Sequence, residues 1–545
     1  MGNIHRNLFS MLRPTTMTSA ALVAILALTF YLRLLYFGQY IDADVGNLGY
    51  LAWRMAEGEV LLDFEGPGKP PLYFMLYSLF IRLFGPSVLG LKMFGTIFVL
   101  MAILVLYWLA KEAYGERVGL LSALLFGIFS SAPMVEGGTV NLETLMHLPY
   151  ILAIGLFLKG SVSGKERWYF LAGLCAALAT LVKQVGGVLF FIFLCYGIYE
   201  LWKGPNSLSR KQLLYRYLLL GGGALLPVMG MILFYHFHGY TLNELYDCML
   251  GSNLRYVKRG YEYTNFWKHF TSTLKIMLPE NSILWFGTLS AAVHMGQKAW
   301  HGEGVKTDRI LLWWGFWSFA VLWVSGTFYA HYFLQIIAPF SLLAAYGIVT
   351  TLKWVRSLSS KARFVMQAIS ITILLVMLAL FIKTDYKYFF SYTPEEKTMY
   401  QYKALSGMDH VYGLYVIIQN EIASHIRANT NPSETIYVWG IAPQVYFVAQ
   451  RRAATRYRTN YNMDKLVTGD RLKALMAYAP VVMKDLKQFC PVYIVQIFPL
   501  EFLQEFQTFV QDHYKVEMEI NLSVPPYRIR LYRRSVDKEG PPNPK

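Results

Sequence analysis

The sequence predicts a polytopic α-helical membrane protein carrying a smaller α/β domain towards its C-terminal end. Three observations carry this. Only 15% of the 545 residues are charged, against about 25% in soluble globular domains. The apolar residues, 55% of the chain, come in blocks of about 20, the length a helix needs to cross a bilayer. Beyond residue 384, tyrosine, charge and turn formers increase, and no later segment is apolar enough to span.

About eleven spans are expected, near 17–37, 87–110, 118–133, 143–158, 168–182, 186–202, 214–236, 281–297, 310–326, 332–352 and 364–383. The first follows Arg6 and Arg13. It is long and lacks a small-residue cleavage site, so it reads as a helix rather than a signal peptide. Every second connection is short and basic: Lys111 and Arg117; Lys159, Lys165 and Arg167; Lys203, Arg210, Lys211 and Arg216; Lys298, Lys306 and Arg309; Lys353, Arg356, Lys361 and Arg363. Basic loops stay cytoplasmic, which accounts for the net charge of +16 without nucleic acid, for which there is no motif. The N-terminus then lies inside. The loops 38–86, 133–142, 238–280 and 327–331, with everything after Lys383, lie outside.

Within the first outer loop, residues 46–57 and 71–84 have apolar groups at helical spacing, and Pro71 suits a helix start. Both are too short to span and read as amphipathic helices at the interface. The domain boundaries are then 1–383 for the membrane domain with its loop 38–86, and 384–545 for the α/β domain. In the latter, Thr435–Trp439, Val492–Gln496, Lys515–Ile520 and Tyr527–Tyr532 read as strands. Ile417–Ala428, Arg471–Tyr478 and Pro499–His513 read as helices. The four cysteines, Cys175, Cys195, Cys248 and Cys490, form no disulfide framework and no metal-ligand spacing.

Ionisable residues gather on the outer side. Asp42 and Asp44 follow the first span; Lys69 stands before Pro70 and Pro71; Glu136 and Glu143 flank the start of the fourth span. Lys183 and Gln184 interrupt an apolar run, and His331 precedes Tyr332 at the start of the tenth span. Each has a plainer reading, as a helix cap or as a snorkelling cation. Together they fit a site for an anionic, membrane-embedded substrate, since ionisable groups near membrane depth are costly and mark function. Lys69, His331, Arg54 and Lys183 are candidates for a phosphate. A nearby carboxylate would take a proton from an incoming hydroxyl or amine.

The order of these motifs resembles the GT-C glycosyltransferases, nearest the protein O-mannosyltransferases and the lipid A aminoarabinose transferase. The resemblance rests on Asp44 with Ala52, Met55 and Gly58; Lys69-Pro70-Pro71-Leu72; Leu83-Phe84-Gly85; Asn141-Leu142-Glu143; Lys183-Gln184; His331-Tyr332 through Pro339; and Trp439-Gly440 with Ala454-Thr455-Arg456-Tyr457. It implies a transferase that takes a sugar from a polyprenyl-phosphate-linked donor to a lipid, polysaccharide or protein acceptor in the envelope of a bacterial inner membrane. It makes Asp44 the catalytic base and Glu143 the second acid. Lys69 would neutralise the departing phosphate, and His331, Tyr332 and Gln335 would line the same pocket. A single displacement would invert the anomeric centre. Val45 stands where some relatives carry a second acid, which leaves that spot without a second carboxylate for the sugar; Gly68 stands where the aminoarabinose transferase has a metal-contacting acid, so no metal is expected there and no cofactor is predicted. Asp42 stays open as an alternative base and Glu136 as an accessory acid. A flippase or transporter of lipid-linked sugars is the alternative function, although such proteins show internal repeats, and none is visible here.

Overall fold

The computed structural model describes residues 16–60, 62, 68–202, 209–263, 266–326, 328–405, 410–455, 471–500, 503–522 and 528–535. Arg6, Arg13, Lys203, Arg456, Tyr457 and Tyr527 lie outside the described residues. The chain divides into two compact units. One comprises the described residues of Met1–Gly38, Lys92–Leu245 and Leu254–Gly407; the other, those of Gln39–Leu91, Tyr246–Asn253 and Met408–Lys545. Residues 39–91, which chain order groups with the membrane helices, thus pack with the C-terminal segment.

All eleven expected spans are helical over most of their length, and apart from Val88–Leu91 these helices lie in the first unit. Seven helices among the described residues are long and apolar enough to cross a membrane: Thr16–Leu34, Val88–Tyr114, Leu142–Ser163, Gln184–Trp202, Arg210–Phe237, Ala330–Ser357 and Ser360–Phe390. Glu116–Phe129, Arg167–Val182, Ser282–Trp300 and Lys306–Ala320 occupy the other four expected positions. The chain is a multi-pass membrane protein. Small residues set its tightest packing, as in membrane helices generally. A Cβ added at Gly173 would lie 1.9 Å from the Leu220 carbonyl oxygen, and one at Gly223 1.9 Å from that of Phe170. The helices Arg167–Val182 and Arg210–Phe237 therefore meet backbone to backbone.

The segment 238–280, expected as a loop, is largely helical: Leu242–Tyr246, a π turn over Asp247–Gly251, then Ser252–Tyr263 and Phe266–Glu280. Its polarity masks a helical spacing of apolar residues at Trp267, Phe270, Leu274 and Met277.

In the second unit the two helices of the first loop run over Ala43–Ala56 and Leu72–Phe84. Pro71 caps the latter from one residue outside it. Most of Ala43–Ala56 is buried against protein. Gly46 and Gly49, one turn apart, let it close on the helix Gln444–Ala449. A Cβ at Gly46 would come 2.2 Å from Gln444 Cα, and one at Gly49 2.8 Å from the Phe447 ring. Tyr50 packs on Tyr446 with ring centroids 5.3 Å apart, and its hydroxyl accepts the Ala453 N–H at 2.9 Å.

The sheet of this unit has five strands, β1 (Thr435–Trp439), β2 (Arg452–Ala453), β3 (Tyr493–Gln496), β4 (Tyr514–Asn521) and β5 (Arg528–Arg534), in the order β2-β1-β3-β5-β4. β1 is parallel to β2 and β3, and β5 is antiparallel to β3 and β4. β1 and β3 are buried almost throughout, hence their unbroken apolar runs. Trp439, Ile494, Leu486, Phe506 and Val510 lie in one core cluster between the sheet and the helices Arg471–Phe489 and Gln504–His513.

Candidate active site

In the second unit Asp42 and Asp44 have different partners. Asp42 is the N-cap of Ala43–Ala56: its backbone is extended, and its carboxylate accepts the Val45 N–H at 2.8 Å. Such a cap satisfies one of the unpaired donors at a helix start. Asp44, in the first turn, is turned to Lys69, whose ammonium donates to Asp44 Oδ1 at 2.6 Å. The Asp44 side chain is 51% exposed and that of Lys69 18%. Asp44 is thus held by a cation yet open to solvent, and the helix N-terminus favours its negative charge.

Arg54 is elsewhere. It lies ten residues further along the same helix, a rise of about 15 Å, where it is ion-paired with Glu57 and Glu59. Burial works against its charge, but the hydrogen bond to Glu59 and the nearby acids outweigh it and raise its pKa above the ordinary value. Arg452 extends the network to Glu57 at 3.1 Å.

In the first unit a second constellation forms. Glu143 sits in the first turn of Leu142–Ser163, almost fully buried, and is ion-paired with Lys183. Lys183 can reach it because the preceding helix ends there: Lys183 is extended and a 3-10 turn, Gln184–Gly187, comes next. The same ammonium lies 4.5 Å from the centroid of the Tyr332 ring. Glu136 has a left-handed backbone, φ 53°, and its carboxylate meets His331 Nδ1 at 3.1 Å and Asn141 Nδ2 at 3.4 Å. Gln335 is buried, and its Nε2 has no hydrogen-bond partner among the described residues.

The structure therefore joins Asp44 with Lys69, Glu143 with Lys183 and Tyr332, and Glu136 with His331. It assigns Asp42 to a cap and Arg54 to a separate ion network. Sequence reasoning missed Arg33 and Lys92. Arg33 donates to the Gly137 carbonyl at 2.6 Å and to Thr96 Oγ1 at 3.1 Å, holding the loop that carries Glu136. Lys92 donates to the Tyr36 carbonyl at 2.8 Å. Their signal was a cation inside an apolar run, where an unpaired charge is not tolerated.

The chain matches ArnT from Cupriavidus metallidurans in complex with undecaprenyl phosphate, with a TM-score of 0.58 at 13% identity, over 95% of this chain and 98% of that one. The chain has a GT-C fold. The Archaeoglobus fulgidus oligosaccharyltransferase in its apo form gives 0.54 at 14% identity, over 96% of this chain and 75% of that one. The archaeal enzyme AglB from the same organism, in complex with an inhibitory peptide and a dolichol-phosphate, gives 0.52 at 15%, over 97% and 75%. Residues 68–233 match the family described as dolichyl-phosphate-mannose-protein mannosyltransferase. No curated protein sequence matches the chain. The resemblance to the mannosyltransferase and ArnT branch of the GT-C fold thus stands on three-dimensional structure and on this part of the sequence.

Proposed function

We propose that this protein is an integral-membrane glycosyltransferase. It moves a sugar from a polyprenyl-phosphate donor to an envelope acceptor on the outer face of a bacterial inner membrane, with Asp44 as base. The observation that carries this is the Asp44–Lys69 pair, an exposed carboxylate held 2.6 Å from an ammonium on a GT-C fold. The lipid phosphates bound by ArnT and AglB support the donor class. In the proposed step an acceptor hydroxyl or amine gives its proton to Asp44 while its heteroatom bonds to the anomeric carbon. The bond from that carbon to the phosphate oxygen breaks, and the electron pair leaves with the polyprenyl phosphate. Lys69 exchanges its partner, from Asp44 to the phosphate, which uncovers the carboxylate as charge builds on the leaving group. One displacement inverts the anomeric centre.

Within the first unit, Lys183, fixed by Glu143, forms with Tyr332, Gln335 and the His331–Glu136 pair a constellation of the kind that suits an anionic lipid headgroup. The residues after Lys383 are proposed to lie outside the cytoplasm. Asp44→Asn in protein reconstituted with a polyprenyl-phosphate sugar should insert normally and lose transfer by about 10²–10⁴-fold, the usual share of a general base. Lys69→Ala should lower transfer and weaken donor use. Normal transfer by Asp44→Asn overturns the mechanism.

A further inference from the structure

We propose that Asn253, aided by Ser252, is a positioning residue that sets Lys69 against Asp44 by clamping the peptide before it. This rests on the role proposed for Lys69 and deepens it. Both polar groups of Gly68 are taken by two consecutive residues far away in the chain. The Gly68 N–H donates to Ser252 Oγ at 2.9 Å, and Asn253 Nδ2 donates to the Gly68 carbonyl at 2.6 Å. The fit is close enough to require glycine, since a Cβ at Gly68 would lie 2.0 Å from the Cys248 carbonyl oxygen. The Cys248 thiol lies 3.7 Å from the Lys69 carbonyl oxygen, and Ser252 Oγ lies 3.4 Å from the Cys248 carbonyl oxygen.

The clamp is built from a π turn, Asp247–Gly251, closed where the Ser252 N–H meets the Asp247 carbonyl. π turns are rare and gather at functional sites, because the extra residue shifts the register of the next helical turn. In this chain that turn begins with Ser252 and Asn253. On the other side of Lys69, Pro70 and Pro71 restrict the backbone. Lys69 is thus held from both sides. Its long stem would otherwise sample many rotamers, and holding the backbone lowers the entropy that the Asp44 pair must overcome.

The test uses the full-length protein in lipid vesicles with a polyprenyl-phosphate sugar, and two readouts. One is kcat and KM; the other is the acylation rate of Lys69 by an amine-reactive ester, followed by mass spectrometry with Lys487 as internal standard. Asn253→Asp places an acceptor against the Gly68 carbonyl. It should lower kcat about tenfold and raise Lys69 acylation several-fold, and Asn253→Gln, which restores the donor, should recover most of both. Added to Lys69→Ala, Asn253→Asp should cause no further loss. Ser252→Ala, a milder change, should move both readouts in the same direction and serves if Asn253→Asp does not fold. Unchanged Lys69 acylation, or a fully additive loss in the Lys69→Ala background, overturns the clamp. If Lys69→Ala transfers sugar at the wild-type rate, the function given to Lys69 falls, and the acylation comparison alone still decides the clamp.

Discussion

Two residues apart, Asp42 and Asp44 show how a helix start separates two identical side chains. The cap position turns the first carboxylate onto the Val45 N–H, and the first-turn position aims the second at Lys69. Asp42→Ala should therefore cost about 1 kcal/mol of stability, as for other caps, and leave transfer within a few-fold, as measured by thermal unfolding and turnover on the same preparation. A loss of transfer as large as that of Asp44→Asn would give Asp42 the chemical role. The spacing from Asp44 to Ala52, Met55 and Gly58 was legible in the sequence. The Lys69 contact was not, since it joins residues across a loop.

At the scale of elements, the first-loop helix Ala43–Ala56 has one face closed by Gln444–Ala449. That contact needs the absent side chain of Gly46. Gly46→Ala should destabilise the second unit by about 1–3 kcal/mol, as overpacking does, seen as a lower midpoint in chemical unfolding. An unchanged midpoint would mean that the two helices separate freely. The sheet offers a pH dependence. Glu517 lies on β4, partly exposed. Burial alone would raise its pKa, but hydrogen bonds from His425 and Tyr493 and the charge of Arg533 hold it below the ordinary value. A group whose pKa is lowered on folding stabilises the fold above its unfolded pKa, and that contribution disappears as pH falls through the folded value. Exposure keeps the effect small. Glu517→Gln should lower the unfolding midpoint slightly at neutral pH and flatten its acid limb below the usual glutamate range, so that variant and wild type converge in acid. An acid limb equal to the wild type would remove Glu517 from that role. The two interior strands were visible as apolar runs, whereas the two-residue β2 and the helix Pro394–Leu405 carried no comparable pattern.

For the whole molecule, the alternation of basic and poor loops proposes an orientation that can be read from Cys490, a partly exposed free thiol in the second unit. A membrane-impermeant maleimide applied to intact spheroplasts should label Cys490. Labelling only after permeabilisation would invert the topology. Composition and hydrophobic block length made the helical membrane class legible, because the bilayer dictates about 20 apolar residues per crossing whatever the neighbours. The order of motifs made the GT-C likeness legible, because short motifs from Asp44 to Trp439 follow one another along one chain.

What the sequence determined alone is what is local: eleven helical stretches, a terminal domain change, and a set of acids and cations at their ends. What only the tertiary structure decided is which of these side chains meet. Asp42 became a cap, Arg54 joined Glu57 and Glu59, Lys183 found Glu143, and residues 39–91 packed with the C-terminal segment. The physical reason is that the Lys183–Glu143 pair and the packing of 39–91 close across long separations in the chain, whereas the Asp42 cap and the Arg54 pairs depend on where the helix Ala43–Ala56 starts and ends. Their geometry is set by close packing at Gly46 and Gly68 and by helix breaks at Lys183 and at Asp247–Gly251, and none of these leaves a periodic trace in the sequence.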